Sequence, residues 1–141
     1  MVAKNMLQLE KMIMNDIQKA MTIVHAKSEQ TAKDEVQSFY SQGKPKIYKR
    51  TGKLGKSVRS HGLNSYKTTV ESFVWLDRTY NYTVPNSDFT SKGFSSYFTT
   101  PMVFDAAEAG DANIKGRSGF WKRTEQKIES DLDSTFATYF N

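Results

Sequence analysis

The sequence predicts an α+β fold, in which a long N-terminal helix and a C-terminal helix pack on a small antiparallel β-sheet. Apolar side chains recur every three or four positions in residues 6–40 and again in residues 120–139. Between these stretches the pattern changes to β-branched and aromatic residues that alternate with polar ones, most clearly in residues 66–76. Because the chain has 141 residues, we expect residues 1–141 to form a single domain.

The composition excludes several kinds of site. The chain has no cysteine, so disulfides, thiolate nucleophiles and cysteine-based zinc sites are ruled out. The net charge of +5 is mildly basic. There is no run of about 18 apolar residues, and the first residues lead directly into a charged helix without the apolar segment of a signal peptide. These features predict a soluble intracellular protein without a membrane-spanning helix.

The first helix is predicted over residues 6–40, with Gly43 and Pro45 as its stop signal. Such a helix is about 50 Å long, which exceeds the width of a domain of this size. Either it breaks near residues 28–31, where the apolar pattern weakens, or its N-terminal half projects and needs a partner. Four methionines give that half a deformable surface suited to contact with another chain: Met6, Met12, Met14 and Met21.

A basic hinge follows at residues 44–59, with seven cations and no acidic residue. These cations are Lys44, Lys46, Lys49, Arg50, Lys53, Lys56 and Arg59. Three interpretations remain open: a solvated surface, a surface that pairs with an acidic protein neighbour, or a surface that contacts DNA phosphates. At its centre lies the motif Arg50-Thr51-Gly52-Lys53-Leu54, followed by Ser57.

The sheet is predicted over about residues 57–104, with strands at 57–62, 66–76 and 79–84. The segment 86–100 is either a hairpin or a mobile loop. Residues 102–104 are predicted as an edge strand, because Pro101 removes an amide donor beside them. Residues 105–119 are small and polar and predict a surface loop. The last helix is predicted over residues 120–139, with Ser118 as its cap.

No catalytic pattern is present in the sequence. Residues 51–57 resemble part of a phosphate-binding loop, but Arg50 stands where its first glycine is required. His25 and His61 have no second ligand at metal spacing. Asp105, Glu108 and Asp111 are spaced by three in a segment that we expect to be solvated. We therefore predict a protein that is not an enzyme and that binds no cofactor or metal.

The order of short motifs resembles that of the head–tail joining or tail-completion proteins of tailed phages, the family named after gene product ten of HK-type siphophages. The motifs are Arg-Thr-Gly-x-Leu-x-x-Ser, then Glu-x-Gly, then an aromatic pair that opens the last helix. The matching residues are Arg50, Thr51, Gly52, Leu54, Ser57, Glu108, Gly110, Phe120 and Trp121. The resemblance implies a structural role for these residues.

The resemblance also implies a function. A member of this family is a non-enzymatic virion protein that works as a homo-oligomeric ring at the neck or the head-proximal end of the tail. Its partners are neighbouring neck, portal or tail-tube proteins, with non-specific DNA contact in the channel, and it resides in the host cytoplasm before assembly. The alternative from the residues alone is a small basic DNA-binding protein that uses residues 44–59.

Overall fold

The computed structural model describes residues 2–42, 54–79, 100–110 and 116–141. Within these ranges two long helices, one short helix and a two-stranded antiparallel sheet confirm the predicted α+β class. The elements are α1 (Met6–Ser38), a 3-10 turn (Phe39–Ser41), a second 3-10 turn (Leu54–Lys56), β1 (Val58–Ser65), β2 (Val70–Leu76), α2 (Thr100–Ala109) and α3 (Phe120–Phe140). Each helix in the described ranges is too short or too polar to cross a lipid bilayer.

Helix α1 is one continuous element of 33 residues, without a break at residues 28–31. The Asn5 side chain caps its start, since its oxygen accepts a hydrogen bond from the backbone N–H of Gln8 at 2.8 Å. The buried stripe consists largely of small side chains, which let other elements approach closely: Ala20, Val24, Ser28, Ala32 and Val36. The helix ends at Ser38, before the predicted end at 40, because the chain tightens into the 3-10 turn.

Strands β1 and β2 form a hairpin that packs along α1. Val58 pairs with Leu76 and Ser60 with Val74, and these positions lie on the face toward α1. The register shifts between His61 and Asn64, which marks a bulge in β1. The predicted strand at 79–84 and loop at 86–100 lie outside the described residues, apart from Thr79 and Thr100.

Helix α2 shows that two sequence predictions were wrong. Residues 102–104 are not an edge strand, and the predicted loop at 105–119 begins with a helix that extends to Ala109. Pro101 lies in the first helical turn, where its missing N–H would have no partner in any case. Phe104 and Ala107, three residues apart, are buried on the same face. Gly110 ends the helix with a left-handed φ of 79°.

Helix α3 runs antiparallel to α1 and extends one residue beyond the prediction, to Phe140. Ion pairs mark the direction, because Glu35 contacts Lys127 while Lys27 contacts Asp131, further along α3. The core lies where α1, α2, α3 and the hairpin meet. Its buried members are Ala32, Val36, Phe39, Leu54, Val58, Phe104, Ala107 and Phe120.

Candidate assembly surfaces

The Glu-x-Gly motif and the aromatic motif meet at the junction of α2 and α3. The Glu108 carboxylate accepts hydrogen bonds from the backbone N–H groups of Trp121 at 2.9 Å and Lys122 at 3.0 Å. These N–H groups belong to the first turn of α3, where no carbonyl of the helix can reach them. A negative charge there also interacts favourably with the helix dipole. Glu108 therefore joins the two helices.

Ser118 does not cap α3 as the sequence predicted. The N-cap residue is Gly119, which has a left-handed φ of 73° and no side chain. Its backbone N–H donates to the Glu108 carbonyl at 2.8 Å, so the chain turns tightly at this point. The capping role passes to Glu108 because the turn places its carboxylate at the open end of the helix.

The Leu-x-x-Ser part of the first motif forms the second 3-10 turn. The Leu54 side chain is in the core, and Ser57 is fully buried. The Ser57 hydroxyl donates to the Leu54 carbonyl at 2.5 Å, and the Ser57 N–H bonds to the same oxygen at 3.1 Å. The described motif residues thus stabilise the fold and do not form an open contact surface, while Arg50, Thr51 and Gly52 lie outside the described residues.

Two of the seven predicted patch cations, Lys56 and Arg59, lie in the described part. Lys56 is exposed at the end of the 3-10 turn, and Arg59 lies on β1. The Arg59 guanidinium donates to the Lys56 carbonyl at 2.8 Å and forms an ion pair with Asp77 at 3.5 Å. Hydrogen bonds from Thr79, with a smaller contribution from Arg59, hold the pKa of Asp77 below its ordinary value. Arg59 is thus held against the hairpin.

The charge of the chain is unevenly distributed. Of its 20 cationic and 15 anionic residues, 13 of each lie in the described part, which is therefore neutral. The other seven cations and two anions account for the net charge of +5. Five of these cations lie in residues 43–53, which we call the basic stretch: Lys44, Lys46, Lys49, Arg50 and Lys53.

Both ends of this basic stretch are attached at the same corner of the molecule. The Gly55 N–H donates to the Tyr40 hydroxyl at 3.1 Å, and the Gln37 amide donates to the Gly55 carbonyl at 3.5 Å. These contacts tie the residues after the stretch to the C-terminal end of α1, from which it departs.

An apolar groove lies at the other end of α1. It has a volume of about 510 Å³ and is formed by the first half of α1 and the turn of the hairpin. Its apolar lining is Met6, Leu7, Leu9, Ile13, Met14 and Ile17. Met6 is 79% exposed and Ile13 is 43% exposed, although the same helix is fully buried at Ala20. The N-terminal half of α1 therefore projects beyond the core, as one of the two sequence interpretations required.

A second exposed apolar surface lies on the outer face of the hairpin. Phe73 and Trp75 are 49% and 44% exposed. Their cross-strand partners are His61 and Arg59, respectively. A depression of about 490 Å³ on this face is bordered by His61, Asn64, Phe73, Val74 and Trp75. One face of the sheet therefore packs on α1. The other face carries Phe73 and Trp75, and no described residue covers it fully.

A buried carboxylate that sequence patterns did not reveal joins α1 to α3. Glu35 is only 3% exposed, and it accepts hydrogen bonds from Arg123 at 2.8 Å and from Lys127. Burial raises the pKa of Glu35, but the hydrogen bonds from Lys127 and Arg123 outweigh burial and lower it below its ordinary value. The only sequence signal was a glutamate within the buried stripe of α1, beside Val36.

The candidate carboxylates and histidines are dispersed. Asp105 pairs with Arg78 at 2.7 Å, Glu108 caps α3, and Asp111 lies outside the described residues. His25 lies beside Glu29 on α1, whereas His61 is on the outer face of the hairpin. In the described ranges no three histidine or carboxylate side chains are grouped so that they could hold a metal ion.

Neither the family models, nor the curated proteins, nor the solved structures compared with this chain gave a match.

Proposed function

We propose that the chain is a structural virion protein of a tailed phage or prophage that completes the tail or joins head to tail at the neck. It acts by oligomeric assembly, as a ring with copies of itself that contacts neck, portal or tail-tube proteins. The observation that carries the proposal is the open apolar groove along residues 6–17 of α1. Apolar patches left open on a small domain mark interaction surfaces.

The arrangement of the motif residues supports the family resemblance. Leu54 and Phe120 are 66 positions apart in the sequence but share one core, and Glu108 caps the helix that Phe120 opens. Motifs that define a family are expected to stabilise its shared fold. Here all three short motifs stabilise the same part of the molecule. Their joint occurrence therefore has a physical reason.

The separation of the two candidate surfaces also supports a neck component. The groove is at the N-terminal end of α1, and the basic stretch is attached at the C-terminal end. A helix of 33 residues places these ends about 50 Å apart. A subunit of a channel must contact other proteins and tolerate DNA beside it, and candidate surfaces near opposite ends of α1 are suited to that division.

Interruption of the gene tests the proposal in a phage or prophage that encodes this chain. We expect full heads and complete tails that are not joined, or tails with an open upper end, in electron micrographs. Supply of the chain from a plasmid restores joined particles, and mass spectrometry detects it in them. Infectious particles of normal form after interruption would refute the proposal.

The charge distribution favours a second candidate, a small DNA-binding protein that uses residues 44–59. The described part has no net charge, so the excess positive charge that would attract DNA phosphates belongs to the remaining cations, most of them in residues 44–53. Each phosphate contact steepens the dependence of log K on log salt by about 0.9. A salt-titrated DNA-binding assay on the wild type and on a variant with Lys44, Lys46, Lys49, Arg50 and Lys53 changed to Gln tests this candidate.

This candidate predicts steep salt dependence in the wild type and its loss in the variant. A variant with five exposed lysines of the described part changed to Gln is the matched control: Lys4, Lys11, Lys19, Lys33 and Lys122. Equal DNA affinity of all three proteins would exclude the candidate and leave the virion role as the remaining proposal.

A further inference from the structure

Helix α1 has a stripe that begins as an interface with α3 and continues beyond it. The ion pairs Glu35–Lys127 and Lys27–Asp131 show that α3 advances along α1 toward its N-terminus. Helix α3 has 21 residues against 33 in α1, so the longer helix extends beyond it by about three turns. On these turns Met6 and Ile13 continue the helical spacing of the buried Ala20. Among the described residues, no helix packs on this N-terminal part of the stripe.

The charges in the groove give a second observation. Its lining includes one carboxylate, Glu10, and one ammonium group, Lys67 at the hairpin turn. Neither takes part in an ion pair with another described residue. Thr68 is the remaining polar residue of the lining. A groove with one charge of each sign is electrostatically self-complementary under a twofold rotation.

We propose that a second copy of this chain covers the groove in the isolated protein, with the two projecting halves of α1 packed antiparallel about a twofold axis. In an isologous interface residue i contacts j and j contacts i. Glu10 of each copy then faces Lys67 of the other, and the two apolar stripes cover each other. The groove can accept a helix whose apolar stripe has the same length. Residues 6–17 of another copy supply such a helix.

This inference rests on the proposed function only in that both require self-association. A twofold contact closes on itself and cannot build a ring, so the pair must separate before the groove can contact other subunits or neighbouring proteins. The pair is therefore the form of the free protein, and it keeps an apolar surface covered until assembly.

Single substitutions in the groove provide the first test. Sedimentation equilibrium at micromolar concentrations should find a dimer for the wild type and a monomer for Ile13→Asp. Phe73→Asp is the matched control, because Phe73 is similarly exposed but lies on the hairpin outside the groove. Circular dichroism confirms that both variants keep their helices. A monomeric wild type, or an Ile13→Asp dimer as stable as the wild type, would overturn the proposal.

Charge reversal tests the pairing itself. Glu10→Lys alone and Lys67→Glu alone each place like charges opposite each other twice in the dimer, so we expect each to weaken association by about tenfold. A mixture of the two variants forms a heterodimer in which both contacts again join opposite charges, and it should regain the wild-type affinity. If Glu10 and Lys67 interacted only within one chain, mixing would restore nothing, and the proposal would be wrong.

The two proposals fail separately. Loss of the mixing effect, together with unjoined heads and tails after gene interruption, overturns the twofold pair and keeps the virion role. A dimer that responds to the variants as described, together with normal particles after gene interruption, keeps the pair and overturns the virion role.

Discussion

The carboxylate of Glu108 accepts a hydrogen bond from the backbone N–H of Trp121 at 2.9 Å, although the two residues are thirteen positions apart in the sequence. The contact replaces the local side-chain cap that α3 lacks, since its N-cap residue is a glycine. The start of α3 therefore depends on correct placement of α2. The two helices should form together.

Replacement of Glu108 by Ala should destabilise the protein by about 1–2 kcal/mol, since two N–H groups of α3 lose their acceptor. Urea denaturation followed by circular dichroism measures the change. Glu125→Ala is the control, because Glu125 is exposed on the same helix, and its effect should stay within about 0.5 kcal/mol. Equal losses in both variants would show that Glu108 has no special role as a cap.

Replacement of Glu35 by Gln should cost about 1–3 kcal/mol of unfolding free energy, because Arg123 and Lys127 lose their charged acceptor. The cost stays below the 3–5 kcal/mol of a completely buried pair, as Lys127 is 59% exposed and water screens it. Asp34→Asn changes the neighbouring exposed carboxylate and is the control. The prediction is wrong if the two variants denature at the same urea concentration.

Glu35 should also make the protein sensitive to acid. Its pKa is lower in the folded protein than its ordinary value of 4.5, so the folded state holds its proton less tightly than the unfolded state does. The stabilisation is complete above pH 4.5 and declines as the pH falls toward the lower folded pKa. Urea titrations from pH 6 to pH 3 should find a steeper loss of stability in the wild type than in Glu35→Gln. Parallel curves would contradict this.

Gly116→Ala should destabilise the protein by about 1–3 kcal/mol through overpacking. An added Cβ would lie 2.4 Å from ring atoms of Phe39, a buried core residue that also makes an edge-to-face contact with Phe120. At Gly62 the same Cβ would meet no atom within 4 Å, so Gly62→Ala is the matched control. Thermal unfolding should place the melting temperature of Gly116→Ala well below that of Gly62→Ala, and a reversed order would refute the prediction.

The two long helices could be predicted closely because their apolar spacing is sustained and no Pro or Gly interrupts it. Helix α2 could not be predicted from the sequence, since it is short. It also begins with Thr100 and Pro101, and these residue types are equally common at the start of an edge strand. Its burial depends on Phe104 and Ala107, and only the packed fold decides which face of so short a segment is covered. Local propensity was too weak to distinguish helix from loop.

The contact residues were harder to predict than the elements. Glu35 looks like part of a polar helix face until Arg123, 88 residues away, is placed opposite it. The capping role of Glu108 depends on the turn at Gly119, which no sequence spacing specifies. The projection of α1 was one of two alternatives, because the length of a helix can be read from its pattern while the length of its partner cannot. Such features depend on tertiary packing.

The length of α1 has a mechanical consequence. An uninterrupted helix of 33 residues is stiff, so its two ends cannot reorient independently. The core holds the helix from Ala20 to Val36, so the direction of the projecting arm, which is about 20 Å long, is set by that packing. A change in core packing that tilts α1 by about 5° about Ala20 moves the tip near Asn5 by roughly 2 Å. A substitution in the core can therefore shift the groove residues without touching them.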